Sequence, residues 1–268
     1  MDRVKNSSKR PIDTLNCGGR ILTVDKPLVM GILNVTPDSF YRGSIASGIE
    51  EYVARASQML ADGATIVDVG GQSTRPGSER VEADEEIRRV VPVIRAISKA
   101  HPQAIISIDT YHSQVASAAA QAGASMVNDI SGGELDPLMI PTVASLGLPY
   151  IIMHMKGEPS NMQEQAVYTD LTREVIDYFI SKVDTCRKAG IKDIIIDPGF
   201  GFAKNADHNF LLLKQLDMFR ILGLPLLAGL SRKSTIYKTL GTTAEHALNG
   251  TTVLNTIALL NGASILRV

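Results

Sequence analysis

The chain is poor in the residues that mark several large protein classes. Among its 268 residues there is no tryptophan, aromatic residues make up 5%, and there are two cysteines, Cys17 and Cys186. Two cysteines in no metal-type spacing exclude a disulfide framework and a cysteine zinc site, and they suit a reduced, cytoplasmic chain. Charge of one sign is missing too. The formal net charge is -1, so there is no basic excess to hold nucleic acid or an anionic membrane surface. No apolar run approaches the length of a membrane-spanning helix. The basic start MDRVKNSSKR has no apolar segment behind it and does not read as a secretory signal. With 44% hydrophobic residues and so few rings, the core must be built from aliphatic strands and alanine-rich helices.

What is present is a repeated unit. In the stretch IIIDPGFGF, 194–202, three isoleucines suit a strand buried on both faces. Asp197 ends the strand, and Pro198-Gly199 turn the backbone away. The same plan recurs along the chain. Apolar strands are predicted at 28–33, 64–69, 104–108, 125–127, 150–153, 194–197, 225–228 and 264–266. Helical spacing is predicted over 50–61, 83–99, 113–122, 137–146, 170–189, 207–219 and 244–260, with polar loops at 36–48 and 70–80. Alternation of this kind argues for a parallel sheet, and eight units argue for a closed (β/α)8 TIM barrel. Segments 14–17 and 20–24 flank Gly18-Gly19 as an N-terminal β-hairpin. Residues 1–11 read as a disordered tail, and no linker splits 12–268, which is expected to be a single barrel domain.

In such a barrel the active site lies at the carboxyl ends of the strands. Those ends carry Asn34, the Ser73-Thr74-Arg75 loop, Asp109, Asn128, His154, Asp197, Lys233 and Arg267. Singly, Asp109 or Asn128 reads equally well as a helix cap. A whole ring of polar groups in one mouth is costly to bury without a ligand or partners. Asp109 and Asp197 as anions only accept hydrogen bonds, while Asn128 donates and accepts, a set that fits a flat heterocycle edged with N–H groups. Asn34 and Asp38 offer oxygen ligands to a hard cation such as Mg²⁺ together with phosphate, although Asp38 alone reads equally as an exposed loop acid. Ser231-Arg232-Lys233-Ser234 precedes a helix, either as an anion site or as a solvated basic loop. His154 reads as a structural, hydrogen-bonded histidine rather than a base.

Eight segments in order carry a resemblance. GILNVTPDSF (31–40), GGQSTRPG (70–77), SIDT (107–110), VNDISGG (127–133), MHMKG (153–157), DPGFGF (197–202), GLSRKS (229–234) and LRV (266–268) resemble the motifs of the dihydropteroate synthase family. The resemblance implies a transferase of folate biosynthesis that joins 6-hydroxymethyl-7,8-dihydropterin diphosphate to 4-aminobenzoate, with Mg²⁺ as cofactor and a homodimeric state. It implies a pterin site of Asp109, Asn128, Met153, Asp197, Phe202, Gly229 and Lys233, with Lys233, Asp109, Asp197 and Arg267 carrying the catalytic work. Asn34 and Arg267 would hold the diphosphate, and Asn34 and Asp38 the metal. Phe40, Thr74, Arg75 and Ser234 would form the 4-aminobenzoate site, which sulfonamides share. A pterin-dependent methyltransferase barrel and a non-catalytic pterin- or phosphate-binding barrel remain alternatives; the former has no use for the Asp38 loop or the 231–234 segment.

Two departures stand out. Gln72 occupies a position where the family more often has Glu. The sequence also stops at Val268, where the family continues with a diphosphate-site histidine and an eighth outer helix. The expectation is therefore a barrel lacking its eighth outer helix here, with both features supplied by residues beyond Val268.

Overall fold

The computed structural model describes residues 13–35, 45–72, 80–158 and 161–268. The expected tail, 1–11, lies outside them. A hairpin comes first, strands β1 (Asp13–Cys17) and β2 (Arg20–Val24), paired antiparallel with Leu15 opposite Leu22. Eight short parallel strands follow: β3 (Leu28–Asn34), β4 (Ile66–Gly70), β5 (Ile105–Asp109), β6 (Met126–Asp129), β7 (Tyr150–Met153), β8 (Ile194–Asp197), β9 (Leu227–Ala228) and β10 (Ile265–Arg267). Their order is β8-β7-β6-β5-β4-β3-β10-β9, and the parallel bridge between Ile196 and Leu226 joins the two ends into a ring.

The helices alternate with these strands: α1 (Ile45–Ala61), α2 (Ala83–Ala100), α3 (Ser113–Ala122), α4 (Met139–Leu146), α5 (Leu171–Lys188), α6 (Ala206–Lys214), a 3-10 turn (Leu216–Leu222), α7 (Ser234–Thr239) and α8 (Leu248–Leu260). Their boundaries follow local chemistry. The Asp170 carboxylate accepts the Arg173 N–H at the start of α5, and Asn205 with His208 forms a reciprocal cap on α6. Gly123 closes α3 in the left-handed conformation. On α2, Glu86, Val90, Val93, Ile94 and Ile97 are buried, the three-to-four spacing of one helix face.

Period two divides each strand between two cores. Val67, Val69, Ile106, Ile108, Val127, Ile152, Ile194 and Ile196 point outward and meet the helices. Met30, Ile66, Ile105, Met126, Ile151, Ile195, Leu227 and Ile265 point inward and fill the lower barrel, which the hairpin closes with Leu15 and Cys17.

Several boundaries differ from the pattern. The expected loop 36–48 is already helical from Ile45. The helix expected over 207–219 breaks in two, because Gln215 closes α6 onto the Leu211 and Leu213 carbonyls and the Asn261 amide also takes Leu213 O at 2.8 Å. The helix expected from 244 starts at Leu248, and the short α7 before it is a further element that the hydrophobic pattern did not reveal. Strand 225–228 narrows to Leu227–Ala228, since Leu226 forms the ring-closing bridge. Among the described residues, no helix follows β10.

Candidate active site

Going up the inward register from the lower core, most of the side chains turn from apolar to polar toward the carboxyl ends of the strands, with Met153 and Gly229 the exceptions. Two residues above Ile66 comes Asp68, above Ile105 Ser107 and then Asp109, and above Met126 Asn128. The same step leads from Ile151 to Met153, from Ile195 to Asp197, from Leu227 to Gly229, from Ile265 to Arg267, and from Met30 through Ile32 to Asn34. The strand geometry thus brings Asn34, Asp109, Asn128, Met153, Asp197, Gly229 and Arg267 to the same end of the barrel. Asp129, the neighbour of Asn128, faces outward and serves a turn: it accepts from Ser131, Gly133 and Tyr150.

Arg267 ties this ring together. Its Nε donates to Asp68 Oδ2 at 2.7 Å and its Nη2 donates to Asp109 Oδ2. The Asn128 amide donates to the same Asp68 oxygen at 3.0 Å. The remaining oxygens, Asp68 Oδ1 and Asp109 Oδ1, are buried and have no hydrogen-bond partner among the described residues, and neither does Ser107 Oγ. Buried acceptors are seldom left open in this way. Burial pushes the Asp109 carboxyl up to about 7, although Arg267 beside it favours the anion.

On the other side of the mouth, Asp197 Oδ1 accepts the Gly199 N–H at 2.8 Å. Burial raises the Asp197 pKa, opposed first by Lys233. Burial lowers the Lys233 ammonium to about 8, opposed by Asp197. Both shifts have the same origin, two opposite charges held out of water. Lys233 Nζ donates to Phe200 O and lies 4.8 Å from the centre of the Phe202 ring. A side chain at Gly229 would enter this space, since its Cβ would come within 4.0 Å of Lys233 Nζ, Arg267 Cβ and Asp197 Oδ2. Met153 packs with Tyr111 and Ile130, flanked by Leu135, Met155 and Phe202, as a small apolar wall.

A second buried network lies just beyond the end of β4. Glu86 Oε2 accepts from the Gln72 amide at 3.2 Å and from the Thr110 hydroxyl at 3.1 Å. Gln72 Oε1 in turn accepts from Tyr111 at 2.9 Å. Burial pushes the Glu86 carboxyl up to about 8, with the Thr110 hydrogen bond opposing it.

The other expected residues fare differently. Asp38, Phe40, Thr74 and Arg75 lie outside the described residues. Ser234 is exposed at the start of α7, next to Lys233. Asn34 ends β3 opposite Gly70, with its Oδ1 on the Asp109 side of the ring. Arg232 does not join Lys233. It adopts φ 52°, and its guanidinium bonds the Ala244 and Glu245 carbonyls. The 231–234 segment therefore turns one cation into the mouth and the other out. His154 is buried and structural, with Nδ1 3.0 Å from Lys204 Nζ. Residue-type reasoning missed Asp68, Glu86 and Lys204.

For Mg²⁺, the fit rests on Asn34 alone among the described residues, which contain no cluster of three or more acidic, histidine or cysteine ligands. A single carboxamide oxygen beside the mouth suits a hard ion that takes most of its ligands from water and phosphate.

The geometry agrees with what the chain is similar to. Residues 30–268 match the model of a pterin binding enzyme. The dihydropteroate synthase of Escherichia coli K12 is 44% identical over 252 residues, 93% of this chain and 89% of that protein. The structure of Xanthomonas albilineans dihydropteroate synthase with 4-aminobenzoic acid superposes with a TM-score of 0.88 at 40% identity, covering 96% of this chain and 92% of that one. The Yersinia pestis enzyme in a sulfonamide drug complex gives the same TM-score and identity, covering 95% and 93%. The chain belongs to the pterin-binding enzyme family. Within that family it is a transferase of the dihydropteroate synthase type.

Proposed function

We propose that this mouth condenses 6-hydroxymethyl-7,8-dihydropterin diphosphate with 4-aminobenzoate, giving 7,8-dihydropteroate and pyrophosphate, and that the inward ring divides the work. The observation that carries this reading is the buried polar ring of Asp68, Asp109, Asn128 and Asp197, in which Asp68 Oδ1 and Asp109 Oδ1 have no hydrogen-bond partner among the described residues. A pterin edge offers the N–H donors such acceptors need. Asp109, Asn128 and Asp197 bind that edge and Lys233 donates to a ring acceptor. Met153 and Phe202 cover its faces and Gly229 leaves room for it.

The reaction breaks the C–O bond to the diphosphate and forms a C–N bond to the arylamine, which loses a proton. The pterin ring is electron-rich and delocalises charge that develops on the methylene carbon. Fixed cations near the departing diphosphate stabilise its charge, a large contribution in a site shielded from water. Arg267 takes that role, Asn34 adds a neutral amide donor to the diphosphate, and Asn34 with Asp38 would hold Mg²⁺, whose charge would offset that of the diphosphate. Phe40, Thr74, Arg75 and Ser234 form the 4-aminobenzoate subsite, so sulfonamides compete with 4-aminobenzoate and not with the pterin.

The wider setting follows the same reading. Residues 12–268 act as one barrel domain. Among the described residues, no helix is long and apolar enough to cross a membrane, and both cysteines are buried free thiols, in keeping with a cytoplasmic enzyme. Phe210, Leu211, Met218, Ile221, Val253 and Leu260 are exposed apolar side chains on α6, the 3-10 turn and α8, and these suit a homodimer.

Turnover tests the reading: the chain is supplied with pterin diphosphate, 4-aminobenzoate and Mg²⁺, and dihydropteroate and pyrophosphate are followed. Equal release of the two supports it. Binding of the pterin without product would return the chain to a non-catalytic pterin-binding barrel.

A further inference from the structure

Lys204 is 2% exposed and has no acidic hydrogen-bond partner among the described residues. It sits in the loop between β8 and α6 and folds back beneath it. Its Nζ lies 3.0 Å from His154 Nδ1, 3.0 Å from Phe202 O and 3.4 Å from His154 O. Three ammonium hydrogens thus have three acceptors. Burying this cation is costly. Burial draws its pKa down to about 7, with the field of Asp197 opposing that drop.

The loop it holds is the one that shapes the pterin edge. Every carbonyl from Phe200 to Lys204 accepts from a different side chain. Lys233 takes Phe200 O, and Gln163 takes Gly201 O at 3.0 Å. Lys204 itself takes Phe202 O. Tyr168 takes Ala203 O at 3.0 Å, and Asn209 takes Lys204 O at 3.4 Å. Ala203 is held at φ 48°, a left-handed conformation that a non-glycine residue adopts only when its surroundings fix it. The loop also touches the end of β7. A Cβ at Gly199, φ 73°, would lie 2.1 Å from His154 O, so residue 199 must be glycine and follows any shift of His154. The Gly199 N–H in turn holds the Asp197 carboxylate.

We propose that Lys204 is a positioning residue for the pterin site: its ammonium, bound to His154 and the Phe202 carbonyl, locks the 198–205 loop and so sets where Asp197 and Phe202 stand. It touches no substrate. His154 is its acceptor and remains neutral, because burial first and the neighbouring Lys204 second hold the imidazole pKa well below the ordinary histidine range. With the Lys204 ammonium donating to Nδ1, the ring proton is on Nε2. A methionine at 204 would fill the same volume and leave the Nδ1 atom and two carbonyls without their donor.

This inference rests on the assignment of Asp197 and Phe202 to the pterin, and its test separates the two. Lys204→Met is assayed against both substrates, per mole of folded enzyme. The expected result is a KM for the pterin diphosphate raised tenfold or more, with the KM for 4-aminobenzoate within twofold of the wild type. Unchanged KM values with lowered kcat, or both KM values raised alike, would reduce Lys204 to a general fold-stabilising residue and overturn the proposal. The second measurement uses the wild-type chain and needs no variant to fold. Nitrogen-15 shifts of His154 should report a bare Nδ1 and a protonated Nε2 at pH 6, where Lys204 carries its proton, and should move when the pterin diphosphate is added but not with 4-aminobenzoate alone. A protonated Nδ1, or shifts indifferent to the pterin diphosphate while calorimetry shows it bound, would overturn the coupling. A wild-type chain with the Nε2 tautomer that binds no pterin diphosphate would overturn the functional reading, and the positioning role with it, while leaving the Lys204–His154 contact in place.

Discussion

Arg267, on the last strand of the barrel, reaches past β3 to place its Nε 2.7 Å from Asp68 on β4. The contact closes the polar level of the barrel across a gap of 199 residues in sequence. Asp68 is fully buried, whereas the Arg267 side chain is 20% exposed. The carboxylate thus has no recourse to water, and the arginine has little.

Asp68→Ala would leave Arg267 and Asn128 without a shared acceptor. Breaking one partner out of a buried pair costs about 3–5 kcal/mol. Urea unfolding of the two proteins should show a loss of that order with an unchanged slope. A loss under ~1 kcal/mol, the usual range for an exposed pair, would mean that water reaches the site and that the pair holds little together.

Glu86 sets a pH dependence of stability. Its pKa is raised from 4.5 to about 8 in the fold, so between those values the native state keeps a proton that the unfolded state has lost. Its contribution is present in full below pH 4.5 and is lost as pH rises through about 8. Glu86→Gln removes this component. Between pH 5 and pH 8.5 the wild type should lose more stability than the variant, by up to roughly 4–5 kcal/mol from the size of the shift. Thermal melts of both proteins at the two pH values decide it: parallel losses would place an ionised, well-paired carboxylate at residue 86.

Ile221, 79% exposed, is the most exposed of the six apolar residues proposed for the homodimer. Ile221→Lys should leave the melting temperature of the barrel itself almost unchanged while converting a dimer to a monomer in light scattering. A wild-type chain that is monomeric at micromolar concentration, or a variant that still dimerises, would place the interface elsewhere.

The barrel was legible in the sequence because parallel strands covered on both faces read as short apolar runs, and eight of them alternated with helical spacing. The ring of site residues was legible for the same reason, since a polar residue at the end of an apolar run marks the strand mouth. Asp68 was hidden inside its run. It is the one polar residue of IVDVG, and only the inward register, with Ile66 below and Gly70 above, shows that it faces the site. Glu86 was masked by the exposed Asp84 and the half-buried Glu85 in the same first turn, although its four-residue spacing to Val90 puts it on the buried stripe. Lys204 carried no local signal. Its partner, His154, is 50 residues earlier and meets it only once β7 and β8 are neighbours. Arg232 looked like a second cation for an anion and was turned away by a left-handed backbone that residue type does not reveal.

Calorimetry of pterin diphosphate binding to the wild type and to Asp197→Asn tests the central claim, that the inward ring is the pterin site, most directly. The substitution keeps the size of the side chain and removes the charge that accepts from the ligand. A charge-assisted hydrogen bond contributes roughly 1.5–3 kcal/mol, so affinity should fall about ten- to a hundredfold or somewhat more, with the melting temperature little changed. Equal affinity in the two proteins would contradict the account and return Asp197 to the role of a turn residue at the end of β8.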